Sequence, residues 1–488
     1  MRTIIINIPA HWTAAAIVVA STLLVARAGD TASHDYSIAV DAALDRLVVQ
    51  ARFAVPVRKI SARSLDAEQF TYDVRDCDTG KRLGTRGRRL VVTGPGIRCL
   101  SYVFELRNAA RTEDLNRRLV ADNIVVSPAL WLWRPGIADG PEIQVRFTLP
   151  DTVAVSVPWP RLPNADHAYR LAASPRSGSA LAVFGDFSSR IVSVAGAEIN
   201  VTLLRTASEL DPDEISEWIR DTANNIALAY GRFPNPYARV VLIPVGGGSW
   251  GGNSPVPFGR VVRDGGETIE LLINEQRPVA DYYGEWEPTH EFSHLMLPYL
   301  RRNQRWVSEG YATYYQNLLL ARAGRYSETE AWQKLYSGLE RGRESAPGLS
   351  PNEAAAGDER STRMKIYWSG VALALMADVE LRRRSDGSES LDTVLDKLQT
   401  CCLPSERAWS GRELFRQLDA MLEEPLFMDL YRKYADTAGF PDARPLLRQL
   451  GVIAEDGSVR VSDAAELAAI RRQITAAQAL TAAGAADR

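Results

Sequence analysis

The stretch that decides the fold is His290-Glu291-Phe292-Ser293-His294, followed shortly by Trp306-Val307-Ser308-Glu309-Gly310. In a helix, residues i and i+4 project from the same side, so His290 and His294 can present two ring nitrogens to one metal ion. The alternative is a surface or core helix that happens to carry two histidines. Only five histidines occur in 488 residues, which favours the metal site.

A catalytic zinc ion takes three protein ligands and leaves one position open. Glu309 is the predicted third ligand, because it stands at the start of a second helix that can return antiparallel across a short turn. Alone, Glu309 would be explained as an acidic residue favoured by the helix dipole in a first turn. His34 and His167 are rival ligands, but they lie in or before a region that reads as strands. Glu291 lies about 100° round the helix from His290 and is the predicted general base.

The length and the net charge of the chain limit the functions it can have. A chain of 488 residues has room for about three domains. A formal net charge of -3 gives no electrostatic case for nucleic acid, and the sequence carries no dense Lys/Arg block interleaved with aromatics. We therefore expect a peptide or small-molecule substrate and no nucleic-acid partner.

Residues 1–28 read as a targeting segment. Arg2 gives a weakly basic start, Thr13–Val25 is an apolar or small run, and Ala26-Arg27-Ala28 fits a small-x-small cleavage site. The run is shorter than the ~20 residues of a spanning helix, so a removed signal peptide is favoured over a retained anchor. We expect an exported protein, periplasmic or secreted, with a membrane contact only if the segment is retained.

The four cysteines fit an exported protein. Cys77 and Cys99 fall in one strand-rich region with turns between them, which predicts a local disulfide. Cys401 and Cys402 are adjacent, and adjacent cysteines rarely bridge without strain. We expect these two to pack as small hydrophobic side chains.

The pattern along the chain predicts four parts after the targeting segment. Residues 36–205 alternate like strands and predict an antiparallel β domain. Residues 206–325 mix helices with short buried strands and carry the metal motif. Residues 326–455 have mostly helical periodicity, and residues 456–488 read as a peripheral tail.

The passage from His290 to Tyr315 resembles the gluzincin metallopeptidases, most closely the glycyl aminopeptidase family and more distantly the alanyl-type aminopeptidases. That resemblance implies an N-terminal β domain, a thermolysin-like α+β catalytic domain and a helical C-terminal region. It also implies one zinc ion per chain, held by His290, His294 and Glu309, with Glu291 as the base.

A second segment carries the same resemblance. Ile366-Tyr367-Trp368-Ser369-Gly370-Val371-Ala372 is similar to a Tyr-x-Lys-Gly-Ala segment whose tyrosine stabilises the oxyanion in these families, so Tyr367 inherits that role. The alternative for Tyr367 is a half-buried aromatic at a helix start. Ser369 stands where a lysine is usual. Thr313, one turn after Glu309, is a candidate for a hydrogen bond to a ligand histidine.

The sequence lacks the Gly-x-Met-Glu-Asn segment that helps alanyl-type aminopeptidases hold the substrate amino terminus. Glu267 and Glu270 occupy about the right place and are the candidate substrate-binding residues, although such carboxylates are usually just solvated. The expected function is a zinc-dependent metallopeptidase, aminopeptidase-like in specificity. The alternatives are a non-catalytic zinc-binding scaffold, which has no need of Glu291, and a gluzincin hydrolase with a non-peptide substrate.

Overall fold

The structure is a computed structural model. It describes residues 33–477 apart from residues 137–140, 174, 176–178, 208–209, 247–252, 358 and 456. The predicted targeting segment, residues 1–28, lies outside the described residues.

The chain begins with strands and ends mostly with helices. In chain order the strands are β1 (His34–Val40), β2 (Arg46–Val57), β3 (Thr71–Arg75), β4 (Gly84–Arg86), β5 (Arg89–Val91), β6 (Ile97–Glu105), β7 (Arg117–Val120), β8 (Asn123–Val126), β9 (Ile143–Thr148), β10 (Ala154–Ser156), β11 (Ala168–Leu171), β12 (Ala182–Gly185), β13 (Phe187–Val194), β14 (Ala197–Leu204), β15 (Tyr237–Val245), β16 (Phe258–Arg263), β17 (Glu267–Asn274), β18 (Val452–Glu455) and β19 (Ser458–Val461).

The helices follow the same order: α1 (Leu106–Ala110), α2 (Pro128–Trp131), α3 (Pro212–Ala227), α4 (Trp286–Ser293), α5 (Arg305–Arg322), α6 (Glu328–Glu344), α7 (Pro351–Ala356), α8 (Glu359–Arg384), α9 (Leu391–Cys402), α10 (Gly411–Asp419), α11 (Phe427–Tyr434), α12 (Arg444–Gln449) and α13 (Ala468–Thr475). Short 3-10 turns lie at Leu65–Phe70, Val279–Tyr282, His294–Met296 and Arg302–Gln304.

The N-terminal part is built from a six-stranded sheet of order β11-β9-β1-β2-β6-β3 and a four-stranded sheet of order β10-β12-β8-β7. Strand β2 alternates buried and exposed residues over most of its length, as expected when one face of a sheet packs on a core. The sheets are antiparallel except where β1 pairs with β9 in parallel. The expectation of an antiparallel β domain is therefore corrected at this one pair.

A five-stranded sheet of order β13-β14-β15-β17-β16 carries the second part. Strand β14 pairs in parallel with β15, which pairs in parallel with β17, and β16 forms an antiparallel edge on β17. The predicted boundary at residue 205 is thus too late, because β13 and β14 belong to this sheet. The physical reason is the parallel pairing of β14 with β15, which a local sequence pattern does not reveal.

The helical part and the second sheet share one apolar core. Its buried members run from Val192 on β13 to Ile474 on α13, across the predicted boundaries at residues 325 and 455. The predicted peripheral tail is wrong for its described part, since Arg471 is fully buried and pairs with Glu328 at 2.8 Å. A separate apolar core is formed by buried residues of the N-terminal part, from Tyr36 on β1 to Phe184 on β12.

The cysteines form two pairs. Cys77 bonds to Cys99, as the sequence predicts. Cys401 bonds to Cys402 at the end of α9, contrary to the expectation that these two pack unbridged. Among the described residues, none of the helices has the length and apolar character needed to cross a membrane.

Candidate active site

Helix α4 carries both histidines of the motif. It begins at Trp286 and has Pro288 in its first turn, where the missing N–H costs little. His294 follows the last helical residue and keeps right-handed helical dihedrals, φ -59° and ψ -24°. The i, i+4 relation between His290 and His294 therefore survives at the helix end.

Helix α5 brings Glu309 to the two histidines. Glu309 Oε2 lies 3.3 Å from His290 Nε2 and 3.6 Å from His294 Nε2. One candidate ligand atom from each of the three residues lies within 4.8 Å of the others. Two imidazoles and one carboxylate are a donor set of catalytic zinc sites. The structure thus brings the predicted ligands together, and their role as ligands stays a prediction.

The outer ring nitrogens of both histidines have partners. His290 Nδ1 donates to Gln316 Oε1 at 3.0 Å, and His294 Nδ1 lies 3.0 Å from Ser308 Oγ. Such partners fix the ring orientation of a metal-binding histidine. Both Nε2 atoms are therefore directed toward Glu309, which is the arrangement that fits a zinc ion.

Electrostatics hold these three residues together in the metal-free site. Burial lowers the pKa of His290, but the hydrogen bond to Glu309 and the nearby Glu291 outweigh it and raise that pKa to about 9. Burial raises the pKa of Glu309, yet His294 and His290 hold it well below its usual range. A histidine that binds a metal ion must be neutral, so His290 would have to lose this proton to act as a ligand.

Glu291 is buried beside the metal-ligand candidates, with 7% of its surface exposed. Burial raises its pKa to about 8; His290 opposes this shift, and Glu309 adds to it. Gly259 on β16 makes room for this side chain, because a Cβ there would lie 2.6 Å from Glu291 Cγ. A carboxylate with a pKa near neutrality is suited to accept and return a proton.

Tyr367 faces the site from α8. Its ring stacks on His290 with centroids 5.7 Å apart and an angle of 17° between planes. Burial, together with Glu309 and Glu291, raises the pKa of its hydroxyl well above the usual value. The phenol therefore stays protonated and can donate a hydrogen bond. It lies inside a long helix and not at a helix start, which corrects the alternative considered from the sequence.

A cleft of about 600 Å³ opens over these residues. That volume is within the range of sites for small ligands and short peptides. Strand β16 and helix α4, with Trp286 and Glu287, line one side of the cleft, and helices α5, α6 and α8 line the other. Burial raises the pKa of Glu287 to about 7.

The sequence and the fold are similar to those of known aminopeptidases. Residues 297–361, which include Glu309, match the family model of the M61 glycyl aminopeptidases. The fold is similar to an aminopeptidase N family protein from Idiomarina loihiensis, with a TM-score of 0.63 and 15% identity over 88% of this chain and 82% of that one. It is also similar to a variant of the M1 zinc metallopeptidase from Deinococcus radiodurans bound to a Tyr-Ser-Ala substrate, with a TM-score of 0.52 and 13% identity over 85% of this chain and 96% of that one.

The predicted resemblance to gluzincin aminopeptidases is confirmed. The N-terminal β-rich part and the helical C-terminal part match the architecture of these aminopeptidase-like proteins. No curated protein matches the sequence.

The two carboxylates predicted to hold the substrate amine lie elsewhere. Glu267 pairs with Arg263 at 2.8 Å, and Glu270 pairs with Arg260 at 2.6 Å. Neither residue lines the cleft. The antiparallel register of β16 and β17 places each glutamate opposite its arginine, so both carboxylates form ion pairs within the sheet.

Three residues around the site were not predicted from the sequence: Gln316, Ser308 and Glu287. Gln316 lies seven residues after Glu309, two turns along the same helix face, which is a spacing that could have indicated it. Ser308 and Glu287 have no comparable signal. Thr313, the predicted partner of a ligand histidine, lines the cleft instead, and its hydroxyl has no hydrogen bond within the described part of the chain.

The two rival candidates for the third ligand, His34 and His167, lie outside the site. His34 lies on β1, where its Nδ1 accepts the backbone N–H of Ala54 at 3.1 Å. His167 precedes β11 in the same sheet system. Neither joins the cluster formed by His290, His294 and Glu309.

Proposed function

We propose that this chain is a zinc-dependent aminopeptidase with one zinc ion held by His290, His294 and Glu309. The observation that carries the proposal is the convergence of these three side chains beside a buried Glu291 and a protonated Tyr367. The family match at residues 297–361 supports the same chemistry. We further infer that β13–β17 with α3–α5 form a thermolysin-like catalytic unit, which the mixed sheet and helix pair support.

The residues divide the work of peptide hydrolysis. A zinc ion, when bound, supplies Lewis acidity for the scissile carbonyl and lowers the pKa of water. Glu291 takes a proton from the attacking water and returns it to the leaving amine. Tyr367 donates its hydroxyl hydrogen to the oxygen that becomes negatively charged. Gln316 and Ser308 hold the two imidazoles in orientation.

Aminopeptidase specificity requires a group that holds the substrate amino terminus. Among the described residues, Glu287 is the one carboxylate besides Glu291 that lines the cleft, and its Oε1 accepts the backbone N–H of Gly259 at 3.2 Å. A substrate ammonium group beside Glu287 would favour its charged form. We propose that Glu287 takes the role predicted for Glu267 or Glu270.

The test is replacement of Glu291 by Gln. The variant should bind zinc at one ion per chain, measured by mass spectrometry of the metal, and should lose about 10²–10⁴-fold in kcat on a peptide library. Glu423→Gln, which changes an exposed carboxylate, serves as the control. Cleavage at the full rate by Glu291→Gln would overturn the mechanism.

We also propose that the protein is exported and acts on peptides outside the cytoplasm. The two disulfides support an oxidising compartment. Sequencing the mature N-terminus tests this, and a chain that keeps residue 1 and stays in the cytoplasm would contradict it.

A further inference from the structure

Two arginines line the end of the cleft where α6 and α8 meet. Arg341 lies on α6, and Arg363 lies on α8 one turn before Tyr367. The helices are joined at this level, since Ser345 Oγ donates to the carbonyl of Ser361 and Lys365 Nζ donates to the carbonyl of Ala346. Both guanidinium groups therefore belong to one region of the cleft wall.

Neither arginine has a carboxylate partner among the residues that the structure describes. Within the described part of the chain, no carboxylate forms an ion pair with Arg341 or Arg363, whereas Arg343 pairs with Glu340 and Arg383 pairs with Glu380 at 2.8 Å. Lys334, a third cation of the cleft, lies 4.0 Å from Glu330. Two cleft-lining guanidinium groups without an ion pair are available to bind an anion from outside.

Trp368 in the cleft wall holds the Arg341 side chain in place. The Arg341 guanidinium carbon lies 5.6 Å from the ring centroid of Trp368, which itself lines the cleft. Trp368 is buried against Gly338 and Gly342, where an added Cβ would come within 2.4 Å of the indole or its Cβ. A cation stacked on a fixed indole loses less freedom on binding a carboxylate than a free side chain does.

The cleft is therefore polarised. Glu287 and Glu291 lie on α4 beside the metal-ligand candidates, and Arg341 and Arg363 lie on the opposite helices. Arg363 stands four residues before Tyr367, about 6 Å along the helix axis. A short peptide whose scissile carbonyl reaches Tyr367 would place a nearby substituent at Arg363.

We infer that Arg341 and Arg363 form an anion subsite that selects peptides carrying a carboxylate within a few residues of the scissile bond. This inference rests on the proposed peptidase function and names its substrate class. The carboxylate can come from an acidic side chain or from the C-terminus of a short peptide, and arginine forks bind both alike.

The experiment compares tetrapeptides in which glutamate replaces glutamine at each of the first three positions in turn, each made with a free and with an amidated C-terminus. For the zinc-loaded protein, kcat/KM should be about tenfold higher for a peptide with the favoured carboxylate than for its neutral counterpart. A glutamate effect identifies a side chain as the source, and an amidation effect identifies the C-terminus.

The variants Arg341→Gln and Arg363→Gln should lower kcat/KM for the acidic peptide more than for the neutral one. The ratio of kcat/KM for the acidic peptide to kcat/KM for the neutral peptide should therefore move toward one. Arg383→Gln, an exposed arginine farther along α8, should leave the ratio unchanged. Equal rates for acidic and neutral peptides with the parent protein, or an unchanged ratio in both cleft variants, would overturn this inference alone. No cleavage of any peptide would overturn the proposed function and this inference with it.

Discussion

Gly310 on α5 and Gly370 on α8 meet backbone to backbone. A Cβ placed on Gly310 would lie 2.2 Å from Gly370 Cα, and one placed on Gly370 would lie 2.2 Å from the carbonyl oxygen of Trp306. Both glycines have neighbours in the site, since Glu309 precedes Gly310 and Tyr367 lies one turn before Gly370. The contact between the two glycines therefore sets how closely Tyr367 approaches the metal-ligand candidates.

Replacing Gly370 with Ala should force the two helices apart. We expect a loss of about 1–3 kcal/mol in the free energy of unfolding, because added volume in a packed contact moves backbone. We also expect kcat to fall more than KM changes, since the hydroxyl of Tyr367 moves away from the carbonyl it stabilises. Denaturant unfolding and steady-state kinetics measure these effects. Gly348→Ala is the control, because no atom lies within 4 Å of a Cβ there, and equal behaviour of the two variants would contradict the prediction.

Gln316→Leu removes the acceptor for His290 Nδ1 and keeps the size of the side chain. Without this partner the imidazole loses its fixed tautomer and orientation, so zinc affinity should fall about 10–100-fold. Competition with a chelator of known affinity gives the dissociation constant. The exposed Gln449→Leu should bind zinc as the parent protein does, and parent affinity in Gln316→Leu would show that Gln316 does not position the ring.

The buried pair of Arg263 and Glu267 links the sheet to the end of α4. Arg263 Nη2 donates to the carbonyl of His294 at 2.8 Å and to that of Leu297 at 3.2 Å. Arg263→Met leaves Glu267 buried without its partner, so we expect a loss of about 3–5 kcal/mol in the free energy of unfolding. The double variant with Glu267→Met should recover part of that loss. Urea unfolding of the single and double variants measures both, and a double variant no more stable than Arg263→Met would contradict the charge argument.

The outcome for Glu267 and Glu270 shows what local sequence does and does not predict. The i, i+4 spacing of His290 and His294 follows from helix geometry alone, and Glu309 needs only one more helix returning across a short turn. The partners of Glu267 and Glu270 depend on the register of β16 against β17, and the membership of β14 depends on its parallel pairing with β15. These are contacts between distant segments, so the grouping of His290, His294 and Glu309 was predictable where their surroundings were not.

Glu287 makes the stability of the metal-free protein depend on pH. Burial raises its pKa to about 7 from about 4.5, so between these values the folded state binds a proton more tightly than the unfolded state. The free energy of unfolding must then fall as pH rises from about 4.5 to about 7, and change no further above that from this group. In Glu287→Gln this contribution is absent. We would measure the free energy of unfolding of chelator-treated proteins at pH 5 and at pH 8. Its fall between the two pH values should be larger for the parent than for Glu287→Gln, and the exposed Glu423→Gln should behave as the parent. An equal fall in the parent and in Glu287→Gln would mean that burial does not raise the pKa of Glu287.

Tyr367→Phe separates the hydroxyl from the ring. The ring stacks on His290, and phenylalanine keeps that contact, so zinc binding and the free energy of unfolding should stay close to the parent values. The lost hydrogen bond acts where negative charge develops in the transition state, and kcat should fall about 10²–10³-fold with little change in KM. Steady-state kinetics with metal analysis on the same samples distinguishes this from loss of zinc. Because the pKa of the Tyr367 hydroxyl is raised by burial, Glu309 and Glu291, the alkaline side of the rate profile should be the same in parent and variant. An alkaline limb that disappears in Tyr367→Phe would mean that the phenol ionises in the working range and acts as an acid rather than as a fixed donor.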